Sequence, residues 1–139
     1  MTVVNDSLGI ETRGDSDMID LTDRLSLLLQ KQKMTRGSML VFVPGSTAAL
    51  TTIEYEPGLK KDFTLLMERI VPRNARYFHE ETWNDGNGHS HVRASMLGPS
   101  LTIPFGNGKL LLGTWQQVVL IDFDNRPRTR SLVVQFVGE

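Results

Sequence analysis

The sequence predicts an α+β domain in which antiparallel sheets pack together, sandwich-like, with helices on one side. Three observations lead there. Two segments, Ile19 to Leu29 and Leu59 to Ile70, carry apolar residues at helical spacing. Roughly seven others are short, rich in β-branched or aliphatic residues, and bounded by turn formers. Most connections between them are of hairpin length, which favours antiparallel pairing. The 139 residues are 40% hydrophobic and 22% charged, the composition of one soluble domain spanning residues 1–139.

Taken in order, Ser7 to Thr12 reads as a first short strand. Ile19, Leu21, Leu25, Leu28 and Leu29 then make one face of a helix, with Asp20 or Thr22 as its N-cap. Met39 to Val43 is a buried strand stopped by Pro44-Gly45. Ala48 to Glu54 is a β-branched stretch that places Glu54 and Glu56 on one face if it runs that far. Pro57 opens the second helix, where its missing N–H costs nothing. Leu59, Phe63, Leu66, Met67 and Ile70 form the inner side of that helix, and Pro72 ends it.

Residues 73–90 read as a long loop by their turn chemistry, ordered by Tyr77, Phe78 and Trp83. After a short segment to Gly98 come three strands over 100–105, 108–124 and 129–138. Asn107-Gly108 is a hairpin turn, and Gly113 marks a bulge or break in the long middle strand.

The formal net charge of -1 argues against a nucleic-acid partner. With no cysteine there is no disulfide and no thiolate ligand or nucleophile. No stretch approaches the roughly 20 apolar residues of a membrane helix. The first twenty residues lack a basic segment followed by an apolar run, so cytoplasm is the expected compartment.

All three histidines, His79, His89 and His91, fall within thirteen positions. In an extended segment His89 and His91 project to the same side; in a helix they would diverge by about 200°. The glycines and asparagine before them favour the extended reading. Imidazole is a common ligand for zinc and other transition metals, and His79 supplies a third. Without a metal the same rings serve as acid and base groups; the plain alternative is polar surface. Arg93, two residues past His91, shares its face in that reading and brings a cation. Gly45-Ser46-Thr47 suits close backbone approach to a phosphate, or is an ordinary turn. Arg126, Arg128 and Arg130 alternate, as a positive row for anions or a charge-protected edge strand. Trp115 reads as core or subunit interface.

Three stretches, Val41 to Leu59, Asp85 to Pro104 and Gly108 to Asp124, resemble the YjbQ family, also called the secondary thiamine-phosphate synthase family. The likeness runs from about Ser7 to Glu139. It implies the same α+β fold, a homotrimer, and a histidine-bearing pocket near the subunit boundary that takes a divalent metal. Zinc is the first expectation, magnesium or another ion the alternative. It implies a transferase joining a pyrimidine pyrophosphate to a thiazole phosphate. The alternatives are a metal-dependent hydrolase of a small phosphorylated or anionic substrate, or a non-catalytic metal or ligand binder. Where the family carries histidine, Gly45 stands here, so His89 is expected to replace it. Residue by residue, His79, His89 and His91 hold the ion, and Glu54 is a base or supporting carboxylate. Arg93, Thr114 and Gln116 position an anion, with Thr47 donating to it.

Overall fold

A computed structural model of the protein describes residues 1–139. Eight strands form two antiparallel sheets. The first holds β1 (Thr2–Thr12), β8 (Arg128–Gly138), β3 (Arg36–Phe42), β5 (Ser100–Gly106) and β6 (Lys109–Leu110), in that order. The second holds β2 (Asp17–Asp20), β7 (Gln117–Asp122) and β4 (Ala48–Ile53). Four helices accompany them: α1 (Thr22–Gln32), α2 (Pro57–Ile70), α3 (His79–Thr82) and α4 (Gly88–Leu97). No helix is long and apolar enough to cross a membrane.

Strand β1 is longer than its sequence signal. It pairs with β8 from Thr2↔Gly138 to Thr12↔Arg128, so the two chain ends close the sheet on each other. The expected start of the first helix is instead β2, whose Met18 and Ile19 pair with Ile121 and Leu120. Asp20 accepts the Thr22 N–H at 2.9 Å, while the Thr22 hydroxyl accepts the Val118 N–H at 2.9 Å. The long middle strand breaks over residues 111–116: β6 stays in the first sheet and β7 enters the second. Asn107 and Gly108, at φ 51° and 69°, make the expected tight hairpin.

Two apolar clusters divide the work. One lies between the sheets, where Leu25 and Leu29 of α1 meet Met39, Val41, Leu120, Leu132 and Phe136. The other lies on the outer side of the second sheet, where Met67 of α2 and Ala94 of α4 cover Ala49, Val119, Ile121 and Phe123. Strand β7 is therefore buried on both faces, which explains its unbroken Val118-Val119-Leu120-Ile121 run. Helix α2 turns less of itself inward than its spacing suggests. Met67 is buried, but Leu66 and Ile70 are 45% and 48% exposed, as is Leu65 at 55%. Glu56 caps this helix by accepting the Gly58 and Leu59 N–H groups.

The segment read as loop contains α3 and α4. Helix α4 has weak amphipathicity because its buried residues mix the small Gly88, Ser90 and Ala94, which let it sit close to the sheet, with the polar His89 and Arg93. Gly88 is there for contact, since a Cβ on it would overlap Tyr77.

Candidate functional site

The turn between α3 and α4 is drawn tight by Glu80. Its carboxylate accepts the Gly86 N–H at 2.7 Å and the Gly88 N–H at 2.9 Å. This folds Asp85 back towards His79 and starts α4 so that His91 faces them. The His79 and His91 rings lie 4.2 Å apart, centroid to centroid, tilted by 40°. Asp85 Oδ1 stands 3.3 Å from His79 Nε2. One ligand atom from each of His79, Asp85 and His91 falls within 4.8 Å of the others. Burial holds His91 below its ordinary value, and the neighbouring His79 adds to this; the carboxylates of Asp85, Asp124 and Glu80 oppose it.

The structure does not bring His89 to this group. His89 and His91 share a helix, so their side chains diverge, and the same-side expectation fails. His89 is 2% exposed, beside Tyr77 and within 3.3 Å of the Ser90 hydroxyl. Burial, then the nearby Arg93 and Arg73 charges, hold it below its ordinary value.

Arg93 is likewise turned away from His91. It donates through Nε and Nη2 to the Val71 carbonyl at 3.0 and 2.8 Å, and pairs with Glu68 at 2.7 Å. Its Nη1 donates to the Ser16 hydroxyl at 3.3 Å. With its side chain 6% exposed, it ties the end of α2 to α4 and does not face a ligand.

Thr47 sits in a buried polar network beyond α4. Its hydroxyl donates to Asp124 at 2.9 Å and accepts from Arg130 at 2.8 Å. Arg130 grips Asp122 with Nε and Nη2 at 2.7 and 2.9 Å, and Thr12 donates to the same carboxylate at 2.6 Å. Arg128 pairs with Asp124 at 3.0 Å. Burial pushes Asp124 up, but the Thr47, Arg128 and Asn87 groups outweigh it and hold the carboxyl below its ordinary range. Its Oδ1 is buried without a hydrogen-bond partner. Arg128 and Arg130 are thus neither free nor on an edge, since β8 is internal to its sheet, while Arg126 lies exposed in the turn before it. The sequence signal was present as acids at 122 and 124 and arginines at 128 and 130, flanking a short turn. Asp85 was missed because its partner is set by the α3–α4 geometry.

Glu54, Thr114 and Gln116 gather elsewhere. They line a shallow cavity of about 430 Å³ with Thr52 and the 72% exposed Trp115. Gln116 donates to Thr52 at 3.2 Å and accepts the Gly113 N–H at 3.0 Å. Thr47 precedes β4 and Glu54 follows it, so this cavity lies about 20 Å from the Thr47 network, the length of the strand. Within one chain the two groups of residues form separate places.

Comparison with known proteins agrees with this architecture. A family model described as "UPF0047 protein YjbQ-like" matches residues 6–139. A UPF0047 protein of Archaeoglobus fulgidus is 37% identical over 92% of this chain and 97% of its own length. UPF0047 protein YugU of Bacillus subtilis is 34% identical over 95% of this chain and 98% of its own. Among solved structures, a YbjQ-like protein of unknown function from Sulfolobus solfataricus P2 superposes with a TM-score of 0.92 at 30% identity, covering 99% of each chain. A yjbq/upf0047 family protein from Clostridium acetobutylicum gives 0.86 at 32% identity, over 95% of this chain and 99% of that one. Matched along nearly its whole length, the chain belongs to the YjbQ/UPF0047 family.

Proposed function

We propose that the protein binds one divalent metal ion, zinc first, at His79, Asp85 and His91, and acts there on a small anionic ligand. The observation that supports this is the relation of His79 to Asp85. His79 Nε2 is buried and makes no hydrogen bond, although Asp85 Oδ1 is 3.3 Å away. Ligands about 2.0–2.2 Å from a tetrahedral ion stand about 3.3–3.5 Å from one another. The two atoms therefore have the spacing of neighbours on one ion without the alignment of a hydrogen bond. Three protein ligands leave a position for a ligand, the pattern of catalytic zinc sites.

When bound, the ion would act as a Lewis acid towards anionic oxygen. The chain's own residues do the rest. Glu80 fixes the turn that carries Asp85. Burial disfavours the charged form of His91, as a metal ligand needs, and Asp124 nearby contributes negative charge. A transferase of the thiamine-phosphate synthase kind and a phosphoester hydrolase both fit such a centre. We favour no third role for Arg93, which is committed to Val71 and Glu68.

We also propose a homotrimer. The exposed Trp115, beside Glu54, Thr114 and Gln116, is an apolar surface suited to meet a second copy. Elemental analysis of untagged protein tests the first proposal: near one ion per chain is expected, and none after incubation with zinc, manganese and magnesium overturns it. Light scattering after size exclusion tests the second.

A further inference from the structure

We infer that Arg130, together with the amides of Gly45, Ser46 and Thr47, forms the subsite for the phosphate group of the ligand. This deepens the metal-site reading and rests on it for the rest of the ligand, but not for the phosphate contact itself.

The first observation is the unused edge of Arg130. Its side chain is 10% exposed. Its Nε and Nη2 are fully engaged with Asp122 and Thr47, whereas Nη1 makes no hydrogen bond. Nη1 is also absent from the side-chain nitrogens sealed from solvent without a partner, so it keeps an open side. That side faces Gly45. A Cβ placed on Gly45 would lie 3.1 Å from Arg130 Nη1 and within 4 Å of nothing else.

The second observation is independent. The chain turns from Pro44 to Thr47 without pairing its backbone donors. None of the Gly45, Ser46 and Thr47 N–H groups donates to an acceptor in the protein. Gly45 and Ser46 are exposed, and Thr47 is buried at 6%. Buried amide donors are normally paired, so the Thr47 N–H calls for an acceptor from outside, and the exposed Gly45 and Ser46 N–H groups beside it are free to meet the same one. Gly45 at φ 118° gives the turn a shape that a side chain would oppose.

The acceptor implied is a tetrahedral oxyanion. Asp122 and Asp124 already balance Arg128 and Arg130, so the region offers directed N–H donors more than net positive charge. Such donors suit the several oxygens of a phosphate monoester. Gly45 and Ser46 also border a cavity of about 220 Å³, together with Ala94 and Ser95 of α4. His91 lies one helical turn before Ser95, whose hydroxyl donates to the His91 carbonyl at 2.8 Å. A phosphate held at this turn would have the α4 side of that cavity, with His91 one turn before Ser95, for the rest of its molecule.

The test uses inorganic phosphate and the full chain, first metal-free and then with zinc, followed by amide and imidazole NMR. Phosphate is expected to shift the amides of residues 45–47 in the metal-free protein. Arg130→Lys, which keeps a charge for Asp122 but loses the free Nη1, should weaken that binding by about tenfold. Ser46→Pro, which removes an exposed donor without touching the buried network, should weaken it as well. Circular dichroism and melting of each variant separate lost binding from lost fold. No shift at residues 45–47, or unchanged affinity in folded Arg130→Lys and Ser46→Pro, overturns the inference. Zinc is read on the imidazoles of His79 and His91. Phosphate binding without zinc binding leaves this subsite standing and removes the metal reading; zinc binding without phosphate binding does the reverse.

Discussion

His79 Nε2 and Asp85 Oδ1 stand 3.3 Å apart with no hydrogen bond between them, and the His91 ring lies against His79. If that spacing belongs to one ion, the three side chains should matter together and His89 should not. His79→Ala, His91→Ala and Asp85→Ala are each expected to weaken zinc at least tenfold, since each removes one of three ligands. His89→Ala should retain zinc affinity while lowering stability by about 2 kcal/mol, because it empties a buried site. Isothermal titration with zinc and urea unfolding of the four variants separate the two effects. Equal loss of zinc in His89→Ala would restore the three-histidine arrangement.

Arg93 is expected to behave as a structural residue. Removing it strands the Val71 carbonyl that it caps, at a cost of about 1–3 kcal/mol for a buried unpaired acceptor. Arg93→Ala should therefore melt several degrees lower, at ~3 °C per kcal/mol for a chain of this size. Zinc affinity and phosphate affinity should be those of the wild type. A folded Arg93→Ala protein that loses anion binding would return Arg93 to the site.

Both long helices and most strands were legible, because burial imprints a period on the sequence and turn chemistry marks where elements stop; β2 was not, because Met18 and Ile19 run straight into the helical spacing of α1. The apolar run of β7 follows the first rule, and the hairpin at Asn107-Gly108 and the break at Gly113 follow the second. Helix α4 left no such trace. Its buried residues are Gly88, Ser90 and Ala94, which allow close approach, together with the polar His89 and Arg93, so no apolar stripe marks the helix. Misreading that one helix moved His89 and Arg93 into a pocket they do not face. Thr47 was chosen for a hydroxyl near an anion; the structure spends that hydroxyl on Asp124 and Arg130, and leaves the backbone N–H of Thr47 free. The Asp122–Arg130 and Asp124–Arg128 pairs cross a turn between two strands of different sheets. Periodicity within a strand shows which face a residue takes, but not which charge meets it.

Gly88 gives a direct check on the close approach. Alanine is the better helix former by about 1 kcal/mol, so an open position would gain from Gly88→Ala. Here the added methyl overlaps Tyr77, whose hydroxyl is tied to the Pro72 carbonyl and which cannot swing away freely. Overpacking costs about 1–3 kcal/mol, so the net effect should be a loss of stability. Urea unfolding measures it. A Gly88→Ala protein more stable than wild type would mean that α4 is not pressed against Tyr77.

Asp124 sets an expectation for acid stability. Its folded carboxyl is held below the ordinary value of 3.8, while the unfolded chain titrates near that value. As the pH falls through about 4, the unfolded state takes up the proton first, so stability is lost from there downwards. Above about 5 the contribution is fully present. Asp124→Asn should therefore be less stable than wild type at neutral pH, where it leaves Arg128 without its partner. The difference should shrink as the pH falls below about 4, because protonation of the unfolded carboxyl removes the advantage that the ionised one gives the wild type. Urea unfolding of both proteins between pH 3 and pH 7 tests this. Two curves that fall in parallel, with a constant gap, would show that the acid loss comes from other carboxylates and that folding does not change how Asp124 titrates.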